Sequence, residues 1–246
     1  MELKDRLRDE WTALAPEWIE AVTVGGDRNI HRVGLLDAWM LEAVGEVSGL
    51  TVIDLGCGEG RFSRMLAEQG ARVTGLDLCE PLIDYARKLR LKDEEYVLGH
   101  MEDLASIGSD SFDLAVSYIT LVDVPDLKRA TEEAFRVLRP GGRFVVCNLQ
   151  SMVTAGNGWI KHNQVKLHYK LDDYFDESTR QIANIDLTNF HRTLSMYLNT
   201  FLAAGFAMEG LREPRPTAAQ VAQYPELGDE LRVPTFIIYL LQKPPK

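Results

Sequence analysis

The chain has no long apolar run. Nothing in its 246 residues approaches the roughly 20 consecutive apolar residues of a membrane-spanning helix. The opening residues, MELKDRLRDEW, alternate in charge and lack the apolar stretch of a secretory leader. Cysteine is scarce: Cys57, Cys79 and Cys147 make no C-x-x-C pair and no Cys/His cluster with zinc spacing. Neither a disulfide framework nor a structural metal is therefore expected, and a reducing compartment, the cytoplasm, follows by elimination. Basic runs are missing too. With 27 Lys and Arg against 37 Asp and Glu, the net charge is −10, which argues against a polyanionic partner, since nucleic-acid binding needs a basic stripe to displace phosphate counterions. The expected partners thus exclude nucleic acid and membrane.

What remains is an ordinary globular composition, 46% hydrophobic and 26% charged, long enough for one α/β domain with a full core. Leu3, Leu7, Trp11, Leu14, Trp18 and Val22 recur at helical spacing over 3–22, interrupted by Pro16. Gly25-Gly26-Asp27-Arg28-Asn29 reads as a turn, and 34–47 as helix. Apolar strand candidates then fall at 51–55, 72–76, 112–118 and 143–149, separated by helical stretches near 61–69, 80–91 and 127–138. Strands alternating with helices of this length imply βαβ units and a parallel sheet covered on both faces. Residues 151–190 are polar and aromatic and show no clear period. A helix at 193–204 and strands near 206–212 and 235–242 complete the pattern. The organisation expected is one domain: a helical cap (1–48), a core (49–150), an irregular insertion (151–192) and the end of the sheet (193–246).

The segment Val52-Ile53-Asp54-Leu55-Gly56-Cys57-Gly58-Glu59-Gly60 runs from a strand into a helix. Glycines there let the backbone turn sharply and let a ligand lie against bare main chain. Asp77 closes the next strand about 20 residues on, where an acid can accept both ribose hydroxyls. Two details separate the cofactors. The third glycine of a dinucleotide fingerprint would fall at Arg61, and the loop carries Asp54 and Glu59, where a pyrophosphate needs a bare helix N-terminus. An acidic loop suits a ligand with a positive centre and an ammonium group, as S-adenosylmethionine has. A packing turn with no ligand is the plain alternative.

VIDLGCGEGRFS, VTGLDLCEPLIDYAR, GHMEDL…DSFDLAVSY and LRPGGRFVV together resemble the successive motifs of the class I S-adenosylmethionine-dependent methyltransferases. FHRTLSMYLNTFLAAGF is similar to the small-molecule subgroup of the ubiquinone-biosynthesis type. The resemblance implies a doubly wound, Rossmann-like sheet of seven mostly parallel strands in the order 3-2-1-4-5-7-6, the last strand antiparallel. It also implies that Asp54, Gly56, Cys57, Gly58 and Gly60 wrap the methionine part of the cofactor, that Asp77 binds the ribose, and that Leu78 packs on the adenine. His100 stands where the family carries an Asp at the adenine edge. There Met101 offers its backbone N–H, and Glu102 or Asp103 replaces the carboxylate. Ser117 and Tyr118 would lie beside the methyl group. Arg32 is either a bidentate partner of the cofactor's carboxylate or a solvated surface residue.

Methyl transfer is an in-line displacement at a carbon already activated by the sulfonium, so the protein mainly aligns the partners and excludes water. A general base is needed only when the acceptor must lose a proton. His191 and Tyr118 are the candidate catalytic groups. Trp18, His168, Tyr174 and Arg192 are the candidate contacts to a small-molecule acceptor, Arg192 as an anion anchor. For His191 and Arg192 the alternative is local satisfaction and solvation; for Trp11 and Trp18 it is core packing. Residues 1–32 and 155–191 are expected to close over the acceptor as a lid. Two other functions compete: a non-catalytic S-adenosylmethionine-binding or regulatory protein, and an NAD-type oxidoreductase, disfavoured by Arg61 and the acidic loop.

Overall fold

The computed structural model describes residues 3–23, 30–91, 94–181 and 187–246, so the turn expected at 25–29 lies outside the described residues. In chain order the helices are α1 (Leu3–Thr23), α2 (Asp37–Val44, entered through a π-helical turn Arg32–Leu36), α3 (Arg61–Glu68), α4 (Glu80–Lys88), α5 (Leu127–Val137), α6 (Ser151–Thr154), α7 (Leu194–Ala203) and α8 (Ala218–Gln223). The strands are β1 (Thr51–Leu55), β2 (Arg72–Asp77), β3 (Glu94–Leu98), β4 (Phe112–Tyr118), β5 (Leu138–Leu149), β6 (Gly156–His162), β7 (Val165–Leu171), β8 (Thr179–Gln181), β9 (Thr188–Phe190), β10 (Ala207–Arg212) and β11 (Phe236–Gln242).

Among the described residues, seven of these strands form one sheet in the order β10-β11-β5-β4-β1-β2-β3. The pairings from β3 to β5 are parallel, and β11 runs antiparallel to both neighbours. This is the order the motif resemblance implies. Strands of such a sheet are buried on both faces and therefore carry apolar residues in succession. In β1, Val52 joins the core under α2 and α3 with Met40, Phe62 and Leu66. Its neighbour Ile53 joins the opposite core under α5 and α7 with Phe144, Tyr197, Phe201 and Tyr239.

Four features depart from the sequence reading. Helix α1 runs unbroken through Pro16; burial of Leu7, and of Ala15 against Cys79 and Leu82, offsets the lost backbone bond. Strand β3 escapes notice because Glu94 and Glu95 open it, although Glu94 is buried and Tyr96 packs on the glycine loop. Pro140-Gly141-Gly142 lies inside β5, where the pairing with β4 jumps from Leu138↔Phe112 to Arg143↔Leu114. The insertion is not structureless. Strands β6 and β7 form a hairpin turned by Asn163 and Gln164, both at positive φ (47° and 65°), and β8 pairs with β9. The alternation Val165, Leu167, Tyr169, Leu171 encodes the hairpin, but three of these apolar residues are exposed, so the period marks a strand without marking a core.

Phe201 is fully buried between Phe144 and Tyr239. Phe201→Ala is expected to cost about 3–5 kcal/mol of unfolding free energy, read from denaturant midpoints at unchanged slope.

Candidate functional site

The C-terminal ends of β1, β2 and β4 open into a cleft, walled on one side by Trp11 and Trp18 of α1. Its floor is the loop 56–60. Gly56, Gly58 and Gly60 all take positive φ (78°, 55° and 76°), which L side chains rarely adopt. A Cβ on Gly56 would lie 2.1 Å from the Thr120 side chain, and one on Gly60 would lie 2.7 Å from the Tyr96 ring, so those two glycines serve close packing. A Cβ on Gly58 would meet nothing within 4 Å. Gly58 lines the cleft, and its bare backbone leaves room there for a ligand.

The loop is held from β2. The Gly56 and Cys57 amides donate to the Leu76 carbonyl at 2.8 and 3.0 Å. The Gly58 amide donates to Asp77 Oδ2 at 2.9 Å, while Asp77 Oδ1 accepts from the Cys79 amide at 2.9 Å. Asp54 is buried, with Oδ2 accepting from the Ser63 hydroxyl at 2.6 Å and Oδ1 without a partner among the described residues. Glu59 accepts from Trp18 Nε1 at 2.9 Å, which fastens α1 to the loop. Arg32 stacks on Trp18 and Tyr118, its guanidinium carbon 4.7 and 5.6 Å from the ring centroids.

Three carboxyls of the cleft are pushed up by burial. Asp54 rises to about 7, with Ser63 and Arg32 opposing the shift and Asp77 and Glu59 adding to it. Asp77 rises to about 6, opposed by the amides of Cys79 and Gly58. Asp123, on the 3-10 turn after β4, rises to about 8; Asn189 opposes this shift, Asp77 and Glu10 add to it, and Arg192 opposes it. Burial pushes His100 the other way, toward the neutral imidazole, and its Nδ1 accepts from the Glu102 amide at 3.2 Å.

Of the residues singled out from sequence, Trp18, Arg32, Asp54, Gly56, Cys57, Gly58, Asp77, Leu78, Met101 and Tyr118 line the cleft. The others do not. Gly60 packs under Tyr96. Glu102 turns away to pair with Lys4 at 2.6 Å and to accept from the Asp126 amide at 2.7 Å. Ser117 is enclosed in the sheet beside Val146, because its strand parity points it into the core under α7. Tyr118 reaches the cleft, but its hydroxyl donates to Asp37 Oδ1 at 3.0 Å, and burial raises its pKa far above the phenol range. The hydroxyl is thus held protonated and committed to Asp37. His191 is buried with both nitrogens used: Nε2 donates to the Tyr174 carbonyl at 2.9 Å and Nδ1 meets the Thr154 hydroxyl at 2.6 Å. Tyr174 spends its hydroxyl on the Leu194 amide at 2.9 Å, and His168 is exposed on β7. Arg192 is no anion anchor. Its guanidinium donates to the carbonyls of Leu121 (3.1 Å), Val124 and Pro125 (3.0 Å). Arg61, where a dinucleotide fingerprint needs glycine, forks onto Asp37 at 2.7 and 2.8 Å.

Sequence reasoning missed Asp123. In SYITLVDVPD it is the one carboxylate between the end of β4 and Pro125, flanked by Leu121, Val122 and Val124. No periodicity marks it, and that isolation was the available signal.

A family model for a methyltransferase domain matches residues 53–146. The crystal structure of an S-adenosylmethionine-dependent methyltransferase from Mesorhizobium loti is 33% identical. It superposes with a TM-score of 0.75 over 82% of this chain and 94% of that one. The chain belongs to the S-adenosylmethionine-dependent methyltransferases. Curated relatives of this methyltransferase include the ubiquinone biosynthesis O-methyltransferase of Xanthomonas oryzae pv. oryzae, 32% identical over 60% of this chain and 62% of that protein. The malonyl-[acyl-carrier protein] O-methyltransferase of Serratia marcescens is 37% identical over 45% of this chain and 44% of that protein. The chain thus aligns with less than two thirds of the length of these curated relatives. No described helix is long and apolar enough to cross a membrane.

Two measurements test the site as built. Asp54, Asp77 and Asp123 keep their protons to about 7, 6 and 8 when folded, whereas an unfolded Asp releases its proton near 4. Their contribution to stability is full below about pH 4 and is lost from there as pH rises to the folded values of about 6, 7 and 8. The Tm of the ligand-free methyltransferase should therefore fall from about pH 5.5 to about pH 8.5, and Asp123→Asn should flatten that fall. Arg192→Ala orphans three carbonyls, two of them reached by buried bonds, and is expected to cost about 3 kcal/mol in denaturant unfolding.

Proposed function

We propose that this chain transfers the methyl group of S-adenosylmethionine to a small-molecule acceptor by in-line displacement, in the cytoplasm and without a nucleic-acid or membrane partner. The observation that carries the reading is the open cradle at Gly58, set between the buried carboxylates of Asp54 and Glu59 and the half-buried one of Asp77. Bare main chain admits a ligand, and the acids offer countercharge to a sulfonium and an ammonium. Asp54 Oδ1, buried and unpartnered, adds an acceptor for the latter. Family membership and the O-methyltransferase relatives support the same chemistry.

Each residue's task follows from its place. Gly56 and Gly58 present backbone to the methionine part, Asp77 accepts from the ribose hydroxyls, and Leu78 and Met101 flank the adenine. Arg32 is held flat by Trp18 within reach of the carboxylate. When bound, the donor supplies a methyl carbon activated by its sulfonium. Trp11 and Trp18, edge to face at 5.6 Å, keep water from that carbon. The acidic loop and the Arg61–Asp37 pair leave a nicotinamide dinucleotide's pyrophosphate no site.

Calorimetry with S-adenosylhomocysteine and with NADH tests the reading: the first should bind and the second should not. Asp77→Ala should weaken S-adenosylhomocysteine roughly tenfold to hundredfold, the loss of a charge-assisted hydrogen bond. Gly58→Val should abolish binding while the protein still unfolds cooperatively, since its side chain would fill the cradle. Unchanged affinity in both folded variants would reduce the loop to a packing turn.

A further inference from the structure

We infer that Asp123 receives the acceptor: its carboxylate takes the hydrogen bond of an uncharged hydroxyl and removes that proton during methyl transfer, so the cleft selects neutral hydroxyl acceptors over carboxylates. This deepens the methyl-transfer reading and rests on it.

Placement comes first. The strand order β4-β1-β2 sets Asp123, just after β4, on the side of the cleft away from Asp77 at the end of β2, with the glycine loop after β1 between them. If Asp77 holds the ribose, Asp123 lies toward the acceptor. The residue is also held from two points. Asn189 on β9 donates to Asp123 Oδ1, and Arg192, three residues later, grips the carbonyls of Leu121, Val124 and Pro125 on either side of it. Oδ2 has no hydrogen-bond partner among the described residues and is left for a ligand. A carboxylate fixed at one oxygen and open at the other is the arrangement a general base needs.

Charge gives the selectivity. The groups acting on Asp123 are Glu10 on α1, Asp77 on β2, Asn189 on β9 and Arg192 before α7. Two of the four are acids. The cations lining the cleft among the described residues are Arg32, stacked on Trp18, and Arg61, forked onto Asp37; Arg192 is spent on carbonyls. An anionic acceptor would approach Asp123 without countercharge, and a carboxylate nucleophile has no proton to give. A phenolic hydroxyl does, and its ordinary pKa of about 10 sits just above the value near 8 that burial imposes on Asp123. In the step itself the acceptor oxygen forms its bond to the methyl carbon as the carbon–sulfur bond breaks, the electron pair staying on sulfur. The hydroxyl proton passes to Asp123 Oδ2 and from there to water.

The test uses the full chain with catechol as a neutral phenol and benzoate as a carboxylate. Asp123→Asn keeps the bond from Asn189 and removes the base; Asn189→Ala removes a support and leaves the base. With S-adenosylhomocysteine bound and at about pH 8.5, where Asp123 is largely ionised, wild type should bind catechol and bind benzoate roughly tenfold more weakly or less, and Asp123→Asn should tighten benzoate. Both variants should keep close to wild-type affinity for S-adenosylhomocysteine, which also reports that they fold. Catechol methylation by Asp123→Asn should fall on the order of 10²–10⁴-fold, and the limb of the wild-type rate that rises near pH 8 should vanish. In Asn189→Ala that limb should move to higher pH, because the hydrogen bond that lowers the Asp123 pKa is gone. A wild-type rate and pH profile in Asp123→Asn, equal binding of benzoate and catechol, or no binding of catechol would overturn the inference. Failure of S-adenosylhomocysteine to bind wild type would overturn instead the methyl-transfer reading beneath it.

Discussion

The bond from the Gly58 amide to Asp77 Oδ2 ties the floor of the cleft to the end of β2. Gly56 and Cys57 reinforce it by donating to the Leu76 carbonyl, so three consecutive amides of the loop are fixed by two residues of one strand. The loop can follow that path only because glycines occupy its positions of positive φ. The constraint spreads outward. Gly60 leads into α3, Ser63 on α3 reaches back to Asp54, and Glu59 captures Trp18 of α1. A single turn thereby sets the spacing of β1, β2, α1 and α3 around one cavity.

The same arrangement gathers negative charge. Asp54, Asp77 and Asp123 are drawn into a protein-walled space where burial outweighs the hydrogen bonds they accept, and each acid adds to the strain on the next. Such clustering destabilises the empty protein. Carboxyls held far above their ordinary range, facing a cleft, mark a place where free energy of folding is set against binding or proton transfer. The guanidinium groups nearby do not neutralise the cluster outright: Arg32 lies flat on aromatic rings, and Arg61 answers Asp37.

The segment after β5 bears on the cleft indirectly. Its Tyr174 and His191 are consumed in bonds within the segment and to α7, while Asn189 and Arg192 hold Asp123 and the turn that carries it. α1 is fastened to the same segment, where Glu10 accepts from the Thr188 amide at 2.9 Å and hydroxyl at 3.0 Å. The N-terminal helix, β9 and the turn carrying Asp123 therefore form one connected wall.

Much of this was legible in the residues. Alternating apolar runs and helical periods determined a doubly wound sheet, because burial on both faces forces apolar residues into succession. VIDLGCGEG with Asp77 determined the glycine-loop edge of the cleft, because its positions of positive φ admit few residues besides glycine. Tertiary structure alone decided which polar groups face the cleft. His191 and Arg192 have the chemistry of a base and an anchor, but a hydrogen bond to a distant carbonyl is invisible to spacing, and both are spent 17 to 71 residues away along the chain. Asp123, one acid in an apolar stretch with no period, became a site residue only when β4 was laid beside β1 and β9 folded across its end.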